Sequence, residues 1–176
     1  TVARLLLEAK ANADARDSGA ETPLSKAAAR GRTGVAARLL EVGATVDPAN
    51  AYGRTPLSLV ARESGNVDLA RMLLDRKADV NTRDKFGDTP LQLAAWRGFR
   101  PVVDLLLERG AAIPSEPRAR GQLLSQAAQN GLDALFTKLI DAGVSPSAAV
   151  PGRRSLLHDA AAGGSVRILE RLLAAT

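Results

Sequence analysis

One period governs the whole chain. The leucine that follows a Thr-Pro or equivalent pair returns as Leu24, Leu57, Leu91, Leu124 and Leu157, at spacings of 33, 34, 33 and 33 residues. A glycine seven residues further on returns as Gly31, Gly98, Gly131 and Gly164, and as Gly65 one residue late in the second copy. A third landmark, Lys10-Ala11, Gly43-Ala44, Lys77-Ala78, Gly110-Ala111 and Gly143-Val144, keeps the same phase. Three landmarks on one period define a stacked array, in which each unit can bury its apolar face only against its neighbours.

The stretch Asp84 to Ala111 shows what one unit is. Thr89-Pro90-Leu91 opens a helix: proline at the first helical position gives up an N–H that has no partner there, and Thr89 can cap the freed amides. Gly98 ends it. The apolar run Val102, Val103, Leu105, Leu106 and Leu107 predicts a second helix, with Pro101 at its tolerated start and Gly110 as a left-handed C-cap. A unit is therefore a helix, a turn and a helix, followed by a loop in which Asp or Asn forms the turn.

Thr22-Pro23-Leu24, Thr55-Pro56-Leu57, Thr89-Pro90-Leu91 with Ala94-Ala95, and the Leu-Leu-x-x-Gly-Ala endings resemble ankyrin repeats, whose signature is T-P-L-H-x-A at 33 residues. The resemblance covers essentially the whole chain. It departs at Gln122-Leu123 and Ser155-Leu156, which replace Thr-Pro, and at Ser25, Ser58, Gln92 and Ser125, which replace the histidine kept only as His158. It implies an all-α ankyrin-repeat solenoid of stacked helix–turn–helix units with hairpin-like loops.

The expected organisation is a single array over 1–176: a partial repeat at 1–16, full repeats at 17–49, 50–83, 84–116 and 117–149, and a terminal repeat at 150–176. In the partial repeat only a second helix is expected, with Leu5, Leu6 and Leu7 matching Leu105, Leu106 and Leu107, so the chain reads as a fragment of a longer protein. Helices are expected near Pro23–Arg30 and Thr33–Glu41. The extra residue in Ala61-Arg62-Glu63-Ser64-Gly65 is expected to loosen the end of its helix. Two prolines in Ile113-Pro114-Ser115-Glu116-Pro117-Arg118-Ala119-Arg120-Gly121 predict an altered hairpin finger there. The pairs Ala27-Ala28, Ala94-Ala95, Ala127-Ala128 and Ala160-Ala161 predict close approach of first helices, with leucines of the second helices in the layer behind.

Composition narrows the chemistry. With 45% hydrophobic and 24% charged residues the chain has the make-up of a folded protein, and no apolar run reaches the length of a membrane span. Zero cysteines exclude disulfides, thiol catalysis and cysteine-bound zinc; with a single histidine, no metal site or other cofactor is expected. Arginine and alanine bias without cysteine points to a GC-rich, bacterial coding sequence. His158 lies beside Asp159 and three residues after Ser155. A triad, however, needs converging geometry, and the resemblance gives this histidine a structural hydrogen bond between neighbouring turns. Glycines between two helices and after no strand exclude a phosphate loop, so no enzyme activity is expected. Asn81 lies on the position that certain hydroxylases modify in ankyrin arrays; an asparagine satisfying turn amides is the favoured reading.

The resemblance implies a protein–protein interaction module whose partner meets the loop tips and the first helices on a concave face. The residues expected there are Tyr52, Arg54, Arg62, Lys85, Phe86, Asp88, Trp96 and Arg97. Three of the five aromatics fall at these positions, whereas Phe136 is expected in the core and Phe99 under its loop. Arg30, Arg118 and Arg120 extend the basic character of that side. The net charge of +5 makes an acidic protein segment the expected partner, with charge speeding encounter and aromatics supplying affinity. Interspersed acidic residues put nucleic acid, or another anionic polymer, behind it. The alternative is a targeting or regulatory segment of a larger enzyme or secreted bacterial effector. A cytoplasmic monomer, with no membrane contact, is the expected setting.

Overall fold

In the computed structural model, residues 12–146 and 155–174 are described. They hold ten α-helices, one π-helical segment and no strand. The expected lone helix at Thr1–Leu7, the Lys10-Ala11 turn and the junction of the last two repeats at Ala149 lie outside the described residues. The chain divides into two compact units, Thr1–Leu93 and Ala94–Thr176.

The first unit contains α1 (Pro23–Ala29), α2 (Thr33–Glu41), α3 (Pro56–Leu59) running into a π-helix (Val60–Ser64), α4 (Val67–Asp75) and the start of α5 (Pro90–Arg97). Its first helices begin as the Thr-Pro pairs dictate. Thr22 Oγ1 accepts the Ser25 N–H at 3.2 Å and Thr55 Oγ1 the Ser58 N–H at 3.3 Å, each with proline in the first turn. At α5 the cap is reciprocal: Thr89 Oγ1 accepts from Gln92 N at 3.4 Å, while Gln92 Oε1 accepts from Thr89 N at 3.1 Å. This capping box is open to Gln92 and closed to the serines at the same position in the other units.

Behind these starts, Leu24, Leu57, Leu69 and Leu73 have no exposed surface, and Ala28 and Ala61 let the backbones close in. Burying a leucine contributes about 1.5–3 kcal/mol over leaving it in water, so this layer is the main favourable term. Polar bonds then set its register. Asn66 Oδ1 caps α4 at Leu69 N (2.9 Å), while its Nδ2 donates back to Gly31 O (3.1 Å) and Thr33 Oγ1 (3.2 Å).

The extra residue of the second repeat does not fray its helix. It is taken up as a π-helix, in which Gly65 N–H reaches Val60 O at 2.9 Å instead of the carbonyl one residue later. The wider turn gives the Gly65 N–H a partner at the helix end, which an unravelled end would not. Ser64 Oγ still reaches Ala28 O at 2.9 Å, and Asn66 resumes the normal phase.

The second unit contains the end of α5, then α6 (Arg100–Glu108), α7 (Pro117–Gln129), α8 (Asp133–Asp141), α9 (Leu156–Gly163) and α10 (Val166–Leu173). Val102, Val103, Leu105, Leu106, Leu123, Leu124, Leu135, Phe136 and Leu139 form its core, so Phe136 lies where expected. Of the last alanine pair, Ala160 is buried and Ala161 exposed. A side chain at Gly163 would strike the Ala128 carbonyl, which is how closely α9 and α7 approach. Asn130 Nδ2 donates to Ala95 O (2.8 Å), and Arg100 bonds both Asp133 (3.2 Å) and the Gly131 carbonyl.

The stretch Ile113–Gly121 departs from expectation. It is not an altered finger: Pro117 occupies the first helical position, and Arg118–Gly121 are already helical in α7. Arg120 Nε fastens the preceding loop through Pro114 O at 2.7 Å. Proline at 117 lacks both the N–H and the side-chain acceptor that Asp17, Asn50 and Asp84 use to fold a finger, but it suits a helix start.

Two backbone positions carry strain. Gly110 takes the left-handed conformation expected of it (φ 85°), but Lys77 holds the same position with φ 70°, and Ala20 has φ 56° where the later fingers have Gly53 and Gly87. Ala20→Gly and Lys77→Gly are each expected to stabilise the fold by ~0.5–1 kcal/mol in chemical denaturation, because only glycine adopts this region without a Cβ penalty. A second test concerns Asp47, whose Oδ2 accepts Asp79 N at 2.9 Å while its buried Oδ1 has no partner among the described residues. Burial raises its pKa, so the folded state holds the proton more tightly than the unfolded chain. Ionisation therefore costs stability as pH rises through that raised pKa. Asp47→Asn removes the cost, and its stability relative to wild type is expected to increase with pH across the acid range in parallel urea titrations.

Candidate functional site

Three fingers in the first unit are built by one device repeated at 17, 50 and 84. Asp17 Oδ1 accepts the N–H groups of Gly19 (2.8 Å) and Glu21 (2.9 Å). Asn50 Oδ1 does the same for Tyr52 (2.9 Å) and Arg54 (3.0 Å), and Asp84 Oδ1 for Phe86 (2.9 Å) and Asp88 (3.0 Å). Each of the three also donates its own N–H to the carbonyl four residues on. A short side-chain acceptor that satisfies two turn amides at once is why Asp and Asn are required here.

The fingers are fixed to one another by backbone bonds, Ala51 N to Gly19 O and Lys85 N to Tyr52 O, both 2.9 Å. Their tips therefore line up in register, and Gly19, Tyr52 and Phe86 occupy one equivalent position. Tyr52 is 56% exposed and Phe86 68%. The Arg54 guanidinium carbon lies 5.4 Å from the Tyr52 ring centroid and 5.5 Å from that of Phe86. Its Nε donates to Asp84 Oδ2 at 3.1 Å, and the two side chains are only 11% and 0% exposed.

This arrangement reassigns Arg54. Expected as a steering charge on the surface, its side chain is largely withdrawn from water, approaches both rings and pairs with the carboxylate on which the third finger is built. Each cation–π contact is worth roughly 0.5–2 kcal/mol, more as water is excluded. Lys85 is exposed at the tip. Asp88 is half-buried, and its carboxyl is pushed up first by burial and then by the Asp84 charge, against the pull of Arg54 and Arg62. Arg62 lies half-buried on the π-helical turn.

Trp96 and Arg97 close α5 in the second unit. Trp96 is 55% exposed, and the Arg97 guanidinium lies 5.7 Å from its ring and 5.6 Å from that of Phe99. Phe99 itself is half-buried. The structure thus joins Tyr52, Arg54 and Phe86 through Asp84, and pairs Trp96 with Arg97. Sequence reasoning missed Asp84 as the organising residue, although its recurrence with Asp17 and Asn50 was the available signal.

The histidine is ordinary. Ser155 Oγ and His158 Nδ1 are 2.7 Å apart on an exposed helix start, a bond within the histidine's own turn. Asn81 is exposed and gives its N–H to Asp79 Oδ1 at 2.9 Å. Among the described residues no His, Asp and Glu groups gather to hold a metal, and no helix is long and apolar enough to cross a membrane.

Asp84→Ala is expected to cost about 2–4 kcal/mol in denaturant unfolding, since it strands two turn amides and leaves Arg54 buried without its carboxylate. Asp84→Asn is expected to recover part of that loss.

Residues 1–84 and 53–116 match the family model described as ankyrin repeats in three copies. The chain is 38% identical over 101 residues to cyclin-dependent kinase inhibitor 2A of Monodelphis domestica, covering 57% of this chain and 58% of that protein. It is 33% identical over 99 residues to the ankyrin repeat and KH domain-containing protein mask of Drosophila melanogaster, covering 55% of this chain and 2% of that protein. In both cases the match spans less than two thirds of the relative's own length.

Proposed function

The chain belongs to the ankyrin-repeat family, and from that premise we propose that it is a non-enzymatic protein–protein interaction module that grips a partner protein with its finger tips and first helices. On this reading 1–176 is one array with repeat boundaries at 17, 50, 84, 117 and 150, and Tyr52 and Phe86 in the first unit and Trp96 in the second are the anchors. The observation that carries it is their exposure. All three sit more than half in water in a chain with only five aromatics, and large exposed rings are the residues that dominate binding energy once a partner covers them.

Charge has the smaller role. With Arg54 committed to Asp84, and Arg97 lying over Trp96 and Phe99, the acidity expected of the partner rests mainly on Lys85 and the peripheral arginines. Such rim charges accelerate encounter more than they add affinity. The Monodelphis relative is named as an inhibitor of a cyclin-dependent kinase, a role exercised on another protein. A second reading, an interaction segment within a longer polypeptide, is favoured by the Drosophila relative, of which the match covers 2%.

The test is affinity capture from the source lysate with wild type beside Tyr52→Ala/Phe86→Ala and Trp96→Ala, each checked by circular dichroism and thermal melt. A folded variant that binds one specific protein at least ~10-fold more weakly is the expected result. Folded variants that keep every partner at full affinity would overturn the reading.

A further inference from the structure

Five asparagines lie in the chain, and Asn130 alone is followed by glycine; the others precede Ala13, Ala51, Val67 and Thr82. The fold requires both members of this pair. Asn130 is the C-cap of α7, and its Nδ2 donates to Ala95 O at 2.8 Å, one of the bonds that set the register of the helix pairs in the second unit. Gly131 takes the left-handed conformation (φ 60°), and a Cβ there would lie 2.7 Å from the Gly163 carbonyl oxygen and 3.2 Å from Arg100 Nη2. A side chain at 131 would hinder attack of its own backbone nitrogen on the preceding residue, but this turn has room only for glycine. All of these residues belong to the second unit.

We propose that Asn130–Gly131 is a covalent modification site, at which the asparagine deamidates through a cyclic imide whenever the turn opens, and that the product weakens the packing of α5 on α7. The Gly131 nitrogen, after giving up its proton to base, bonds to Asn130 Cγ; the Cγ–Nδ2 bond breaks, and Nδ2 takes a proton from water and leaves as ammonia. Water then adds to one of the two imide carbonyls and reopens the ring, leaving aspartate or isoaspartate at this position. The folded turn holds the reaction back. Ring closure needs the Gly131 nitrogen eclipsed with Asn130 Cβ, whereas ψ 8° leaves it nearly eclipsed with the Asn130 nitrogen instead. The Gly131 N–H is also given to Ala128 O at 3.2 Å. Once the ring has closed the loss is permanent. A carboxylate has no N–H for Ala95 O, and it sets negative charge against that carbonyl and at the C-terminal end of α7, where the helix dipole disfavours it. Isoaspartate also lengthens the backbone at a turn that is already filled on both sides. Each opening of this layer is thereby recorded chemically.

The full chain, incubated at neutral and at mildly alkaline pH with and without urea and then mapped by mass spectrometry of its peptides, tests it. In urea, conversion is expected at Asn130 ahead of the other four asparagines, with isoaspartate among the products and a rate that rises with pH. In the folded chain the same conversion should be at least ~10-fold slower, because only the opened fraction reacts. Arg100→Ala, which removes the bonds to Asp133 and to the Gly131 carbonyl, should speed the reaction of the folded chain. Asn130→Asp, which stands for one product, should unfold at a lower urea concentration than wild type. Wild type aged in urea and refolded should likewise melt below a sample carried through urea briefly. Equal rates with and without urea, aspartate without isoaspartate, earlier conversion at another asparagine, or an Asn130→Asp variant as stable as wild type would each overturn the proposal.

Discussion

A buried carboxylate that accepts two backbone N–H groups with one oxygen and an arginine with the other decides how the displayed surface of the first unit is built. Asp84 folds its own finger, and through Arg54 it also fixes the finger before it. Without that neutralisation the carboxylate would carry a desolvation cost of several kcal/mol, and without the carboxylate the arginine would bear the same cost. The rings of Tyr52 and Phe86 are tied to the same pair, because the Arg54 guanidinium lies 5.4 Å from one centroid and 5.5 Å from the other. Two exposed aromatics thereby share one guanidinium neighbour that is itself fixed by an ion pair.

The helical layer supplies the other half of this rigidity. Leucines with no exposed surface and alanines that allow backbone contact stack each helix pair on its neighbour within a unit, and a few side-chain-to-carbonyl bonds set the register. Neither layer is sufficient. A finger is too short to hold itself, and a helix pair of 7 to 9 residues per helix, such as α1 and α2, is below the length at which isolated helices persist. Stability is accordingly shared between neighbours, as in other repeat architectures.

Much of this was legible in the chain before any coordinates. The period, the helix starts at Thr22, Thr55 and Thr89 and the left-handed glycine at 110 follow from local chemistry, in which one residue type is favoured for one geometric reason. Exposure of Tyr52, Phe86 and Trp96 followed from register alone. What was not legible depends on distant pairs or on competing local solutions. Arg54 reads as a surface charge until Asp84, thirty residues on, is placed against it. The prolines at 114 and 117 suit either a distorted loop or a helix start, and the missing turn acceptor at 117 decided for the helix.

The π-helical turn at Val60–Ser64 has a wider meaning for how such a protein changes length. In a structure generated by translating one motif, a surplus residue would ordinarily displace everything after it, and each later contact would be out of step. Here the surplus is absorbed within one turn of helix, and Asn66 meets Gly31 as if nothing had been added. Indels are thereby made local events. Evolution, or an engineer, can lengthen a copy at that point and alter what Glu63 presents to the outside while leaving the bond of Asn66 to the preceding copy untouched.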